Sequence, residues 1–201
     1  QLMAAARLNI PTLIVVCGYQ PSGEYNGQHV DIEDVFISSM HVVTGKLPVE
    51  ELAGMARNAI RGPGVCLGMG TANSMHLVCE ALGMALPGSS PIAANSPQMF
   101  DFVHQAGKRI VEMIEEDLKP RDILTPAVFA NAVATILAAG GSVNTIKHMQ
   151  AVAAEGGIDV DVYQLFRKLG KKIPVRVGVR PVGEHSIEQM EAAGGGRGLL
   201  K

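Results

Sequence analysis

Tryptophan is absent from the 201 residues and aromatic side chains make up only 4% of them, which argues against stacking platforms for bases and against large aromatic pockets. An excess of charge of either sign is missing too. The 17 basic and 19 acidic side chains leave a formal net charge of −2 with no block of like charges, so there is no electrostatic footprint for nucleic acid or for an anionic membrane. Long apolar runs are also lacking: Ile10 to Val16 and Ala127 to Ala139 fall short of the roughly 20 residues a bilayer span needs. Cysteine is scarce, with three in all (Cys17, Cys66, Cys79), and no secretory signal opens the chain. A disulfide scaffold is thereby excluded and a reducing, cytoplasmic compartment expected. What is plentiful is apolar residues (47%), Gly (23) and Met (10), the composition of a globular chain with close backbone packing. The length allows one large domain or two small ones with a core that needs no staples.

Asn9 to Gly18 (NIPTLIVVCG) is a β-branched run closed by glycine, which predicts a strand buried on both faces of a parallel sheet, and Ile173 to Val179 predicts a second. Helices are expected over Asp31 to Thr44, Val49 to Ile60, from Thr71 onward, Ser96 to Asp117, Thr125 to Ala139, Asn144 to Ala154, Val160 to Leu169 and Ser186 to Ala193. Ser96–Pro97 and Thr125–Pro126 each place a capping side chain before proline at the first helical position. Glu115 to Asp117 reads as a solvated helix end. Gln1 to Leu8 has the character of a helix end, and Leu199 to Lys201 that of an opening element, so the chain is expected to be an internal piece of a longer protein.

The glycine loops do not fit nucleotide-binding spacings. Neither G-x-G-x-x-G after a strand nor G-x-x-x-x-G-K-[ST] occurs, and there is no C-x-x-C or H-E-x-x-H. Arg61 to Gly70 (RGPGVCLGMG) stands out, with four glycines around Cys66 just before the helix that opens Thr71, Ala72, Asn73, Ser74. Free N–H groups at a helix start stabilise a thiolate or an anionic ligand, and small neighbours admit a bulky inorganic group. On the residues alone, a lone Cys in such a turn is more often structural than a ligand. Cys17 at a strand end and Cys79 inside a helix read as small buried hydrophobes.

Arg61 to Gly88 (RGPGVCLGMGTANSMHLVCEALGMALPG) resembles the P-G-x-C-x-x-M-x-T-A-[NS]-[ST]-M…E-A-L-G-M-x-L-P-G segment of the dihydroxy-acid and phosphogluconate dehydratase family. NIPTLIV at 9–15, Gly45 with Glu50, Glu51 and Leu52, LTPAVFANA at 124–132, GGSVNTIKH at 140–148 and PVGEHSIEQMEAAGG at 181–195 join it in family order, covering essentially the whole chain. The resemblance implies an α/β fold: a single partial, helix-rich N-terminal domain over 1–201 with a parallel sheet, lacking both ends of the full enzyme. It implies a hydro-lyase that converts a sugar acid (an aldonate) or a 2,3-dihydroxy acid to a 2-keto acid, with dihydroxy-acid dehydratase of branched-chain amino-acid biosynthesis as the alternative substrate assignment. An iron–sulfur cluster, [2Fe–2S] or [4Fe–4S], acts in such enzymes as Lewis acid on the departing hydroxyl, and Mg²⁺ holds the substrate.

Carried over by position, Cys66 matches the third cluster cysteine and thus a metal ligand. Thr71, Asn73 and Ser74 match the residues after it, from which donors to cluster sulfurs are expected. The other two cysteines and the Asp and Lys of the magnesium site are expected before Gln1, and the serine base beyond Lys201. Asn144 and His148 match G-G-S-T-N-x-x-x-H, with Val143 in place of Thr and His148 read as structural. Gly70 replaces an aromatic of the dihydroxy-acid branch and points toward an aldonate. The expected partners are a small hydroxy acid and further copies of the chain in a dimer or tetramer, with no nucleic acid and no membrane. Two other classes stand beside the enzyme: a non-catalytic fragment, and an anion-binding module using the helix start at Thr71.

Overall fold

The computed structural model describes residues 1–200, and helices dominate it. In chain order they are α1 (Leu2–Leu8), α2 (Ile32–Val43), α3 (Val49–Ala59), α4 (Thr71–Ala81), α5 (Pro97–Glu115), α6 (Pro120–Ile123), α7 (Pro126–Ala139), α8 (Asn144–Gly156), α9 (Val162–Leu169), α10 (Ile187–Ala192) and α11 (Gly195–Leu199). The expected caps are in place. Ser96 and Thr125 each accept from the backbone N–H three residues on, at 3.1 and 3.4 Å, ahead of proline at N1. Asp31 and Asp34 form a reciprocal capping box at the start of α2.

The core is built where α4 lies on α7 and α8. Leu77, Val78 and Leu82 from the α4 region meet Phe129, Val133 and Ile136 of α7 and Met149 and Val152 of α8, all nearly or wholly buried. Each such side chain removed from water contributes about 1.5–3 kcal/mol, so this seam fixes α4 and hence the loop in front of it.

The sheet departs from expectation. Its only ladder among the described residues is an antiparallel hairpin of β1 (Gly23–Tyr25) and β2 (Gln28–Val30). Asn26 and Gly27 turn it, both at positive φ (53° and 74°), as a tight hairpin requires. Parallel pairing survives only as isolated bridges, from Tyr19 to Val65 and to Ala93, and from Val179 to His185. Each segment around Tyr19 leaves extended geometry within two residues of the bridge, at Gly18 (φ 74°), Gly64 (φ 120°) and Asn95 (φ 59°), so no ladder propagates. The 9–18 run is correspondingly covered on one side only: Val16 is buried while Ile10 and Val15 are exposed. The 173–179 stretch runs along the end of α7, where Ala138 O accepts from Arg176 and Val177. Near the C-terminus, Gly194 (φ 106°) starts a one-turn helix that ends at Leu199 rather than opening there; Lys201 lies outside the described residues. No described helix is long and apolar enough to cross a membrane.

Candidate functional site

Residues 67–69 are buried, Leu67 and Met69 to 1% and 2% exposure, whereas Cys66 is half-buried, next to the N-cap Gly70 of α4. The Cys66 Sγ lies 3.7 Å from the point a Cβ on Gly70 would occupy, so the missing side chain leaves the thiol open on that side. The N–H groups of Thr71, Ala72 and Asn73 have no acceptor among the described residues, and no side chain caps them. Their partial positive charge favours an anionic group at this spot.

Several contacts pin the loop. Asn73 is buried, and its Nδ2 donates to Cys66 O at 2.7 Å and to Gly68 O at 2.8 Å, while its Oδ1 has no partner. Met69 N donates to Arg180 O and Ile187 N to Leu67 O, tying the loop to the Arg180 segment and to the start of α10. Gly68 is covered by Glu33: a Cβ there would stand 1.7 Å from Glu33 Oε1. Burial, then the neighbouring Asp31, raises the Glu33 carboxyl above its ordinary value, with Arg180 opposing.

Thr71 and Ser74 reach toward the loop before α8 rather than toward Cys66. Asn144 Nδ2 donates to Thr71 Oγ1 at 2.9 Å, the Thr71 and Ser142 hydroxyls lie 3.1 Å apart, and Ser142 N donates to Ser74 Oγ at 2.9 Å. Residues 71–74 and 140–148 lie far apart in the sequence; the structure joins them through Ser142, which no local pattern marks. Val143 is exposed.

Of the other cysteines, Cys79 is buried inside α4 as expected, and burial pushes its thiol up to about 12, which suits packing and not ligation. Cys17 is exposed instead of buried, because its segment is covered on one side only; its Sγ lies 3.6 Å from His76 Nε2. The two line a cavity of about 420 Å³ with Cys79 and an exposed His148. Burial lowers the His76 pKa and so favours the neutral ring.

His29, Asp31 and Asp34 bring three ligand atoms together. The cationic position is already taken: the Arg180 guanidinium pairs with Asp31 and, at 3.1 Å, with Asp34. The arrangement is a latch between the start of α2 and the strand-like segment that holds Met69. The signal for it in the sequence was the Asp-x-x-Asp capping box; its cation lies 146 residues away and could not be assigned.

A thiol beside an unguarded helix start, held by a buried amide and flanked by glycine, fits one corner of an iron–sulfur cluster. The family model described as "Dihydroxy-acid/6-phosphogluconate dehydratase N-terminal" matches residues 1–201. The chain is 42% identical over 201 residues to the dihydroxy-acid dehydratase of Methanothermobacter thermautotrophicus, covering 100% of this chain and 36% of that protein. Over the same span it is 40% identical to the dihydroxy-acid dehydratase of Sulfurisphaera tokodaii, again 36% of that protein. With the enzyme of the same name from Pyrococcus abyssi it shares 38% over 200 residues. The chain thus spans about 36% of the length of these curated relatives.

Proposed function

The chain belongs to the dihydroxy-acid/6-phosphogluconate dehydratase family through its N-terminal region, and from that premise we propose that it forms the cluster-bearing part of a hydro-lyase. The reaction removes the C2 proton and the C3 hydroxyl of a 2,3-dihydroxy acid as water, and the resulting enol becomes the 2-keto acid. The observation that carries the reading is the presentation of Cys66 beside Gly70 and the free N–H groups of α4.

A cluster bound at Cys66 would supply a Lewis-acidic iron for the departing hydroxyl. The chain's own residues act around it. Asn73 fixes the backbone on both sides of the thiol by donating to Cys66 O and Gly68 O, so the sulfur is positioned before any ligand arrives. The N–H groups of Thr71, Ala72 and Asn73 offer donors to sulfur or to an anionic substrate group. Ser142 and Asn144 orient the Thr71 hydroxyl. Leu67 and Met69 anchor the loop in the core beneath. Magnesium is proposed as the second metal, with ligands other than the Arg180 latch.

The curated relatives carry the name dihydroxy-acid dehydratase. Gly70 favours a longer substrate, because the space beside Cys66 admits a polyhydroxy chain that an aromatic would exclude. The test is a side-by-side keto-acid assay of the protein at its full natural length with C5 and C6 aldonates and with 2,3-dihydroxyisovalerate. Faster turnover of at least one aldonate supports the assignment; the opposite ranking returns the protein to the short branched substrate, and turnover of neither removes the hydro-lyase reading.

A further inference from the structure

α5 is apolar on two sides. Its inner side faces the body of the protein, where Met99, Phe102 and Ala106 line a small cavity with Ile14, Val16 and Ile92. Its outer side carries Phe100, Val103, Val111 and Ile114 at 58%, 42%, 54% and 61% exposure. Gly107, also exposed, lies between them with nothing within 4 Å of where its Cβ would be. The stripe is symmetrical about that glycine: Val103 and Val111 stand four residues to either side, Phe100 and Ile114 seven. At 3.6 residues per turn all five fall within about 40° of one line along a helix roughly 28 Å long.

Such symmetry is what an isologous contact requires, since residue i must meet j while j meets i. In an antiparallel pair crossing at Gly107, Phe100 meets the partner's Ile114 and Val103 the partner's Val111, and the absent side chain lets the backbones approach. The charges of the helix fit the same arrangement. α5 has no acid in its first turn and no base in its last. Arg109 holds Glu112 and Glu116 at 2.9 and 2.8 Å, and among the described residues Glu115 has no side-chain partner. An acid at its own helix C-terminus opposes the macrodipole, whereas in the antiparallel pair Glu115 comes to the positive N-terminal end of the other helix.

We propose that the outer face of α5 is an interface between two copies of this chain, related by a two-fold axis at Gly107. The contact is independent of the reaction assigned above. A thiol on the axis meets its own copy, so Gly107→Cys in the protein at its full natural length is the test, with Lys168→Cys on α9 as control. Under mild oxidation Gly107→Cys should form a disulfide-linked dimer about tenfold faster or more than the control. A Val103→Glu/Val111→Glu double variant that keeps its circular dichroism should show a halved mass by light scattering. Cross-linking no faster than the control, or an unchanged mass for the double variant, would overturn the proposal and give the face to another segment of the same polypeptide.

Discussion

At Asn73 one side chain holds two carbonyls of the loop that presents Cys66, and the consequence is measurable without any assay of turnover. Asn73→Ala leaves the part-buried Cys66 O and the buried Gly68 O without that donor, and the buried one alone costs about 1–3 kcal/mol. Chemical denaturation should show a loss in that range, together with a lowered iron content; unchanged values in both would free Asn73 of the role. Glu33 makes a pH-dependent prediction. Its carboxyl is raised by burial and by Asp31, so its favourable contribution is complete below the ordinary 4.5 and is lost as pH climbs through the raised value. Glu33→Gln should therefore leave the thermal midpoint unchanged near pH 4 and raise it at pH 8, and a fall at pH 8 would contradict the sign. The resemblance made Cys66 and the residues after it legible as a site, because a cysteine between glycines ahead of a helix is a local pattern. Ser142 was not legible, since its bond to Thr71 joins positions 71 residues apart.

Among the elements, helices could be read from their ends. Ser96, Thr125 and Asp31 each satisfy an orphan N–H, and replacing Ser96 by Ala should cost about 1 kcal/mol, a difference urea unfolding resolves. The sheet could not be read from its apolar runs. Extended runs such as 9–18 promise a ladder only if their neighbours stay extended, and here Gly18, Gly64 and Asn95 turn each segment away after one bridge. The hairpin at 23–30 carried the stronger signal in Asn26–Gly27, a turn pair whose φ values are both positive. The Arg180 latch links two such elements. Arg180→Met would strand Asp31, whose side chain is 0% exposed, without its cation, and a loss of about 3 kcal/mol is expected for a broken buried pair. Restored stability in an Arg180→Met/Asp31→Asn double variant would show that the stranded charge is the cause.

For the whole molecule, the weak net charge and the scarcity of aromatics give no footprint for nucleic acid, an expectation that rests on composition alone. Composition carried nothing about which faces remain open, because exposed apolar residues on α5 count the same as buried ones until the helix is placed. The same limit applies to Cys17 and Cys79, equal in the sequence yet one exposed and the other buried with its thiol pushed up to about 12. Replacing Cys79 by Ser should accordingly touch stability alone, by about 1–3 kcal/mol for a buried hydroxyl. The measurement that bears most directly on the whole account is the iron and acid-labile sulfide content of the anaerobically purified protein at its full natural length, compared with Cys66→Ser, Cys17→Ser and Cys79→Ser. Cys66→Ser alone should lose both while its circular dichroism is unchanged; equal iron and sulfide in Cys66→Ser and the unsubstituted protein would remove Cys66 as a cluster ligand.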